Sequence, residues 1–190
     1  PLQGARNEAR SMAWAATYTV AKTGSDGNPG TEAAPWATIS KANAVLLPGD
    51  AVVIQEGRYA ESIEPARSGM AGRPILYTAQ TGSRAIVTAQ MRFAGRSYVT
   101  VRGIRFESDG PAWLSDDADA HHVTLEGCEF DQVERRGNGA YVGLLCKGSY
   151  VTIRGCRFER WHEGDAIRIQ GHHALVEGSD FSNAKAGHGL

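Results

Sequence analysis

Two cations raise the question of chemistry. Lys147 ends the stretch Tyr141-Val-Gly-Leu-Leu-Cys-Lys147, and Arg168 lies in Ala166-Ile-Arg-Ile-Gln170. Gly148 and Gly171 align as the turns that follow. With the period of a strand, Leu144 and Cys146 stack on Ile167 and Ile169 and face inward. Leu145 and Lys147 then stack on Arg168 and Gln170 and face outward. Lys147 and Arg168 thus share one exposed face, either as a charged site or as two solvated cations.

Other candidates surround them. Ser115-Asp-Asp-Ala-Asp119 gathers Asp116, Asp117 and Asp119, whose carboxylate oxygens suit a hard cation. The same loop also reads as an ordinary polar turn. Glu134-Arg-Arg-Gly-Asn-Gly139 makes Arg135 and Arg136 a cationic loop able to meet an anionic glycan. Trp161-His-Glu-Gly-Asp165 precedes Arg168, and Trp161 with His162 and Asp165 suits sugar stacking and hydroxyl recognition. His121-His122 and His172-His173 open two equivalent turns, where repetition argues for structure. Asp26 and Asn28 lie in a dense turn signal, Thr23 to Gly30, and serve either a cation or the turn itself.

The element that must position these residues occurs four times. It reads Tyr98-Val-Thr-Val-Arg-Gly-Ile-Arg-Phe106, His122-Val-Thr-Leu-Glu-Gly-Cys-Glu-Phe130, Tyr150-Val-Thr-Ile-Arg-Gly-Cys-Arg-Phe158 and His173-Ala-Leu-Val-Glu-Gly-Ser-Asp-Phe181. The central glycines, Gly103, Gly127, Gly155 and Gly178, are 24, 28 and 23 residues apart. One supersecondary unit at such a period specifies a solenoid. Val99 and Val101 alternate with Thr100 and Arg102, as in a half-buried strand. Past Gly103 the apolar positions shift to Ile104 and Phe106, so the glycine resets the register at φ > 0 between two short strands.

Stacked copies build ladders. Phe106, Phe130, Phe158 and Phe181 form an aromatic stack inside, and Val101, Leu125, Ile153 and Val176 an aliphatic one. Outside, Arg102, Glu126, Arg154 and Glu177 alternate in sign, as do Arg105, Glu129, Arg157 and Asp180. A slip by one coil would set like charges together, so these rows fix register. Each coil needs a further strand before the repeat, expected at Ala85–Thr88, Ala112–Leu114, Tyr141–Cys146 and Ala166–Gln170.

The chain has 190 residues and a net charge of −1. It has the length for a domain with a real core and no global bias toward nucleic acid or an anionic membrane. No run of about 18 apolar residues exists to span a membrane. The three cysteines fit no zinc spacing. Cys128 and Cys156 occupy equivalent positions, as buried thiols or as an inter-coil disulfide. Residues 1–16 differ from the rest, and Ala13-Trp-Ala-Ala-Thr17 resembles the end of a secretory signal. We expect 1–16 to be an extension or signal remnant and 17–190 a single domain. Ile39, Ala42, Asn43 and Leu46 follow helical spacing before Pro48-Gly-Asp50, which predicts a short helix capping the first coil.

Tyr18-Thr-Val-Ala, Gly24-Ser-Asp-Gly-Asn-Pro-Gly-Thr, Pro35-Trp-Ala-Thr-Ile39, Pro48-Gly-Asp50 and Gly57-Arg-Tyr59 together resemble the start of secreted right-handed parallel β-helix proteins of the pectate-lyase-like superfamily. Gly72-Arg-Pro-Ile-Leu-Tyr77 resembles the next coil of alginate and chondroitin lyases, polysaccharide lyase family six. With the later repeats the resemblance covers nearly the whole chain. It implies an all-β, right-handed parallel β-helix of about six coils with an N-terminal helical cap.

The resemblance also implies a function. Lyases of this superfamily cleave uronic-acid polysaccharides by β-elimination, which needs a base for the proton α to the carboxylate and positive charge for the enolate. Family six uses a lysine and an arginine on neighbouring coils, and Lys147 and Arg168 match in type and face. Ca2+ is the cofactor so implied, and an anionic polysaccharide the partner, at a secreted or cell-surface location. Gly187-His-Gly-Leu190 aligns with Gly164-Asp-Ala-Ile167, so the chain is expected to stop in mid-coil. That end offers self-association, hence the alternative of a non-catalytic β-helix assembling end to end. A uronate epimerase on the same scaffold is the third reading. Nucleic acid is not an expected partner.

Overall fold

The computed structural model describes residues 14–108, 113–114, 120–132, 142–159 and 165–182. Among the described residues seventeen strands, all paired in parallel, form three sheets. The first holds β1 (Thr17–Val20), β2 (Ala51–Ile54), β4 (Ile75–Ala79), β7 (Val99–Arg102), β10 (Val123–Glu126), β13 (Thr152–Arg154) and β16 (Leu175–Glu177). The second holds β3 (Gly57–Tyr59), β5 (Ala85–Val87), β8 (Arg105–Ser108), β11 (Glu129–Gln132), β14 (Arg157–Glu159) and β17 (Asp180–Phe181). The third holds β6 (Met91–Arg92), β9 (Trp113–Leu114), β12 (Val142–Cys146) and β15 (Asp165–Ile169). From β4 onward successive strands visit the three sheets in turn, and coils β4–β6, β7–β9, β10–β12 and β13–β15 carry all three faces. The complete coils described are therefore four; six, the number expected, is the strand count of the second sheet.

The ladders form as the repeat requires. Leu125 lies in register between Val101 and Ile153, and Ile153 beside Val176. The four phenylalanines stack at centroid separations of 5.3, 4.9 and 4.9 Å, with planes within 10–11° for the first two pairs and 5° for the last. Between the first and second sheets, Gly103, Gly127, Gly155 and Gly178 take φ of 64°, 57°, 59° and 56°. This left-handed bend is open to glycine at no steric cost. It turns the next residue inward, where Ile104, Cys128 and Cys156 are buried. The cysteines are free thiols. Burial pushes the Cys128 and Cys146 thiols up in pKa, which suits inert ladder residues.

The outward charges pair between coils. Arg102 meets Glu126 at 2.7 Å, and Arg154 bonds Glu177 while reaching Glu126 at 3.9 Å. On the second sheet Arg105 is almost buried among Glu107, Glu129, Asp131 and Glu159. Glu129 also lies 3.9 Å from Arg157 and 3.7 Å from Arg84.

One expectation changes. Ala85–Val87 pairs with β3 and β8 in the second sheet, so the third-sheet strand of that coil is β6. The alternation at 85–88 gives the inward face but not the sheet. The turn at residues 23–30 is internal structure: Asp26 accepts from Ala37 N, Thr38 N and Thr38 Oγ1, and the Asn28 amide donates to Pro35 O. The Asp26 carboxylate is thus committed to the start of the helix, and the Asn28 amide to closing the turn. Helix α1 (Ile39–Val45) starts where Thr38 Oγ1 accepts from Lys41 N, an N-cap, and buries Ile39 and Ala42 in the common core.

Candidate functional site

The third sheet carries the cation pair. In β12 and β15, Leu144 pairs with Ile167, Leu145 with Arg168 and Cys146 with Ile169. Gln170 N then donates to Cys146 O, which continues the register to Lys147 opposite Gln170. Leu144 and Cys146 are buried, while Arg168 and Gln170 are exposed and Lys147 is half-buried. Lys147 and Arg168 therefore leave the same face of neighbouring strands, offset by two residues, a backbone separation of roughly 8 Å. Through Leu114 and Leu145 the row of Arg168 continues to Arg92. Arg92 is exposed and held by Gln90 at 3.0 and 3.2 Å. Arg92 is not legible in the sequence, because its strand has two residues and no alternation to see.

The turn after Lys147 is fixed by close backbone approach. A Cβ on Gly148 would collide with the carbonyl oxygen of Ala120, and one on Gly171 with that of Gly148. Gly148 and Gly171 have no room for a larger residue, so the ends of β12 and β15 are each set by the coil before it.

Next comes a feature the sequence did not reveal. Tyr98, His122, Tyr150 and His173 each take φ of 55–57°, a left-handed bend that non-glycine residues seldom adopt. Their rings stack in one outer column, with centroids 4.6, 4.8 and 4.6 Å apart. The column gives the His121-His122 and His172-His173 turns the structural role expected of them. Ser97 and Ser149 brace the bend by accepting, through Oγ, from His121 N and His172 N at 3.1 and 3.4 Å.

Of the remaining candidates, Asp165 opens β15 opposite Val142. Asp116, Asp117, Asp119, Arg135, Arg136, Trp161 and His162 lie outside the described residues. Among the described residues no three His, Cys, Asp or Glu side chains converge as metal ligands. None of the described helices is long and apolar enough to cross a membrane.

The sequence pattern of the Pel9A-like right-handed β-helix region matches residues 18–190. The chain belongs to this family. Among solved structures, a lacto-N-biosidase from Eubacterium ramulus superposes with a TM-score of 0.59 at 14% identity, over 86% of this chain and 41% of that one. Pectate lyase Pel9A gives 0.52 at 18% identity over 84% and 53%. A rhamnogalacturonan lyase gives 0.50 at 16% over 87% and 62%. At these identities the likeness is one of fold. The uncharacterized protein YwoF of Bacillus subtilis is 31% identical over 71 residues, 37% of this chain and 15% of that protein. The chain thus spans less than two thirds of each of these relatives. The fold alone does not choose among glycan chemistries, since the neighbours include both lyases and a biosidase.

Proposed function

We propose that this β-helix acts outside the cell on uronic-acid polysaccharide, as a lyase working by β-elimination. The observation that supports this is the shared outward face of Lys147 and Arg168 on adjacent coils. On this reading Lys147 takes the proton α to the uronate carboxylate. The electron pair left behind forms the new double bond as the bond to the glycosidic oxygen breaks, and that oxygen takes a proton from water. Arg168, with Arg92 further along the row, supplies positive charge for the enolate that develops. We assign Asp116, Asp117 and Asp119 to a hard cation such as Ca2+, whose charge would offset the substrate carboxylate. Arg135, Arg136, Trp161, His162 and Asp165 are assigned to glycan binding, and helix α1 to covering the first coil.

The test is ultraviolet absorbance of unsaturated products on alginate, pectate and chondroitin. We expect a signal on at least one of them, abolished by Lys147→Ala. Silence across the panel overturns the lyase reading, as does a signal that Lys147→Ala leaves intact. Altered uronate composition without double bonds marks an epimerase instead.

A further inference from the structure

The outer column holds a second set of groups with chemistry of their own. His121 Nδ1 lies 2.8 Å from His122 Nδ1. In an extended strand, consecutive side chains leave opposite faces. Here the left-handed backbone at His122, φ 55°, lets neighbours in sequence meet on one side. The rings cross at 82°. His122 is clamped between Tyr98 and Tyr150, at 4.6 and 4.8 Å, and the edge of His121 meets Tyr98 at 5.3 Å. His122 is exposed and His121 half-exposed, so both are reachable from solvent.

We propose that His121 and His122 form a two-nitrogen chelate for a tetragonal divalent transition metal, Cu2+ ahead of Ni2+. Without metal, one Nδ1 donates to the other. Two nitrogens 2.8 Å apart, each about 2.0–2.1 Å from a metal, subtend about 85–90° there. That is the cis angle of square-planar and octahedral centres, whereas a tetrahedral one opens to about 109° and needs a wider pair. Imidazole ligands suit copper and nickel, and copper heads the affinity order of the divalent series. The tyrosine clamp holds the His122 ring before binding, which reduces what must be ordered when a metal arrives. Two protein ligands leave the other positions to water. The inference does not depend on the lyase reading.

The test titrates Cu2+ into tag-free protein, followed by electron paramagnetic resonance. We expect one bound Cu2+ with two imidazole nitrogens in its hyperfine pattern. His122→Phe keeps a ring between the two tyrosines, so it should unfold at the metal-free temperature of the native chain. It should bind Cu2+ about ten-fold or more weakly, since even outer-shell changes cost that much. His121→Ala should behave alike in binding, and the double variant His172→Ala, His173→Phe should retain the site. Substoichiometric Cu2+ should broaden the NMR signals of His121 and His122 first. Equal binding by the native chain and His122→Phe, or broadening centred elsewhere, overturns the proposal.

Discussion

Asp131 carries a wholly buried carboxylate that is held by the guanidinium of Arg105, itself 10% exposed. The two sit on neighbouring strands of the second sheet, offset by two residues, since Arg105 stands opposite Glu129 and Glu107 opposite Asp131. Arg105 also bonds Glu107 at 2.7 Å and Glu129 at 2.8 Å. Burial alone would lower the Arg105 pKa, but the hydrogen bonds and charges of these carboxylates raise it instead. Arg105→Ala leaves a buried anion without its cation and should cost about 3 kcal/mol or more. Asp131→Asn, which leaves Arg105 its glutamates, should cost less. Denaturant melts of both variants check the order.

Acid should expose the same network. Burial of Glu107 works to raise its pKa, yet hydrogen bonds from Arg105 and Arg58 outweigh that and hold the carboxyl below its ordinary value. A carboxyl whose folded pKa is depressed contributes stability above its unfolded pKa of about 4.3, and loses it as pH falls through the folded value. Melting temperatures of the native chain should therefore drop more steeply below about pH 4 than those of Glu107→Gln, which lacks that titration.

The aromatic ladder should show its gradient of burial. Phe130 is 2% exposed between Phe106 and Phe158, whereas Phe181 is 49% exposed. Phe130→Ala should cost about 3–5 kcal/mol. Phe181→Ala should cost well under half as much, and equal losses in urea unfolding would contradict this account of the core.

Two glycine substitutions separate backbone angle from backbone contact. A Cβ at Gly127 meets nothing within 4 Å, so Gly127→Ala pays only for its φ of 57°, about 1–2 kcal/mol. A Cβ at Gly148 runs into the Ala120 carbonyl although its φ is ordinary. Gly148→Ala must push coils apart and should lose more, with the amides of Ala120 and Ser149 exchanging fastest by hydrogen–deuterium exchange.

The repeat was legible because stacking makes chemistry repeat. A phenylalanine must lie on a phenylalanine and an arginine opposite a glutamate, so the ladders of Phe106 and Arg102 stand written in sequence. The glycine bend was legible for the same reason, since Gly103 interrupts an alternation that resumes one residue late. The bend at Tyr98 and His122 was not. Tyrosine does not favour φ > 0 and histidine visits it only occasionally, and the conformation is supported by stacking and by Ser97, which are tertiary causes. The site was half legible. Inward and outward faces of Leu144 to Lys147 followed from alternation, but the membership of β5 and β6 in their sheets depends on where the chain turns, and β6 is too short to show a period.

From Tyr98 to Phe106, His122 to Phe130, Tyr150 to Phe158 and His173 to Phe181, every copy spans the same nine residues. From each phenylalanine to the next column residue the intervals are 16, 20 and 15. Among these four copies the variation in coil length thus falls between each phenylalanine and the next column residue. Insertions, deletions or grafted peptides are expected to be tolerated there sooner than in the nine-residue stretch, which keeps a constant gauge. New loops can be tried there without retuning the frame, which makes the molecule a chassis for binding surfaces.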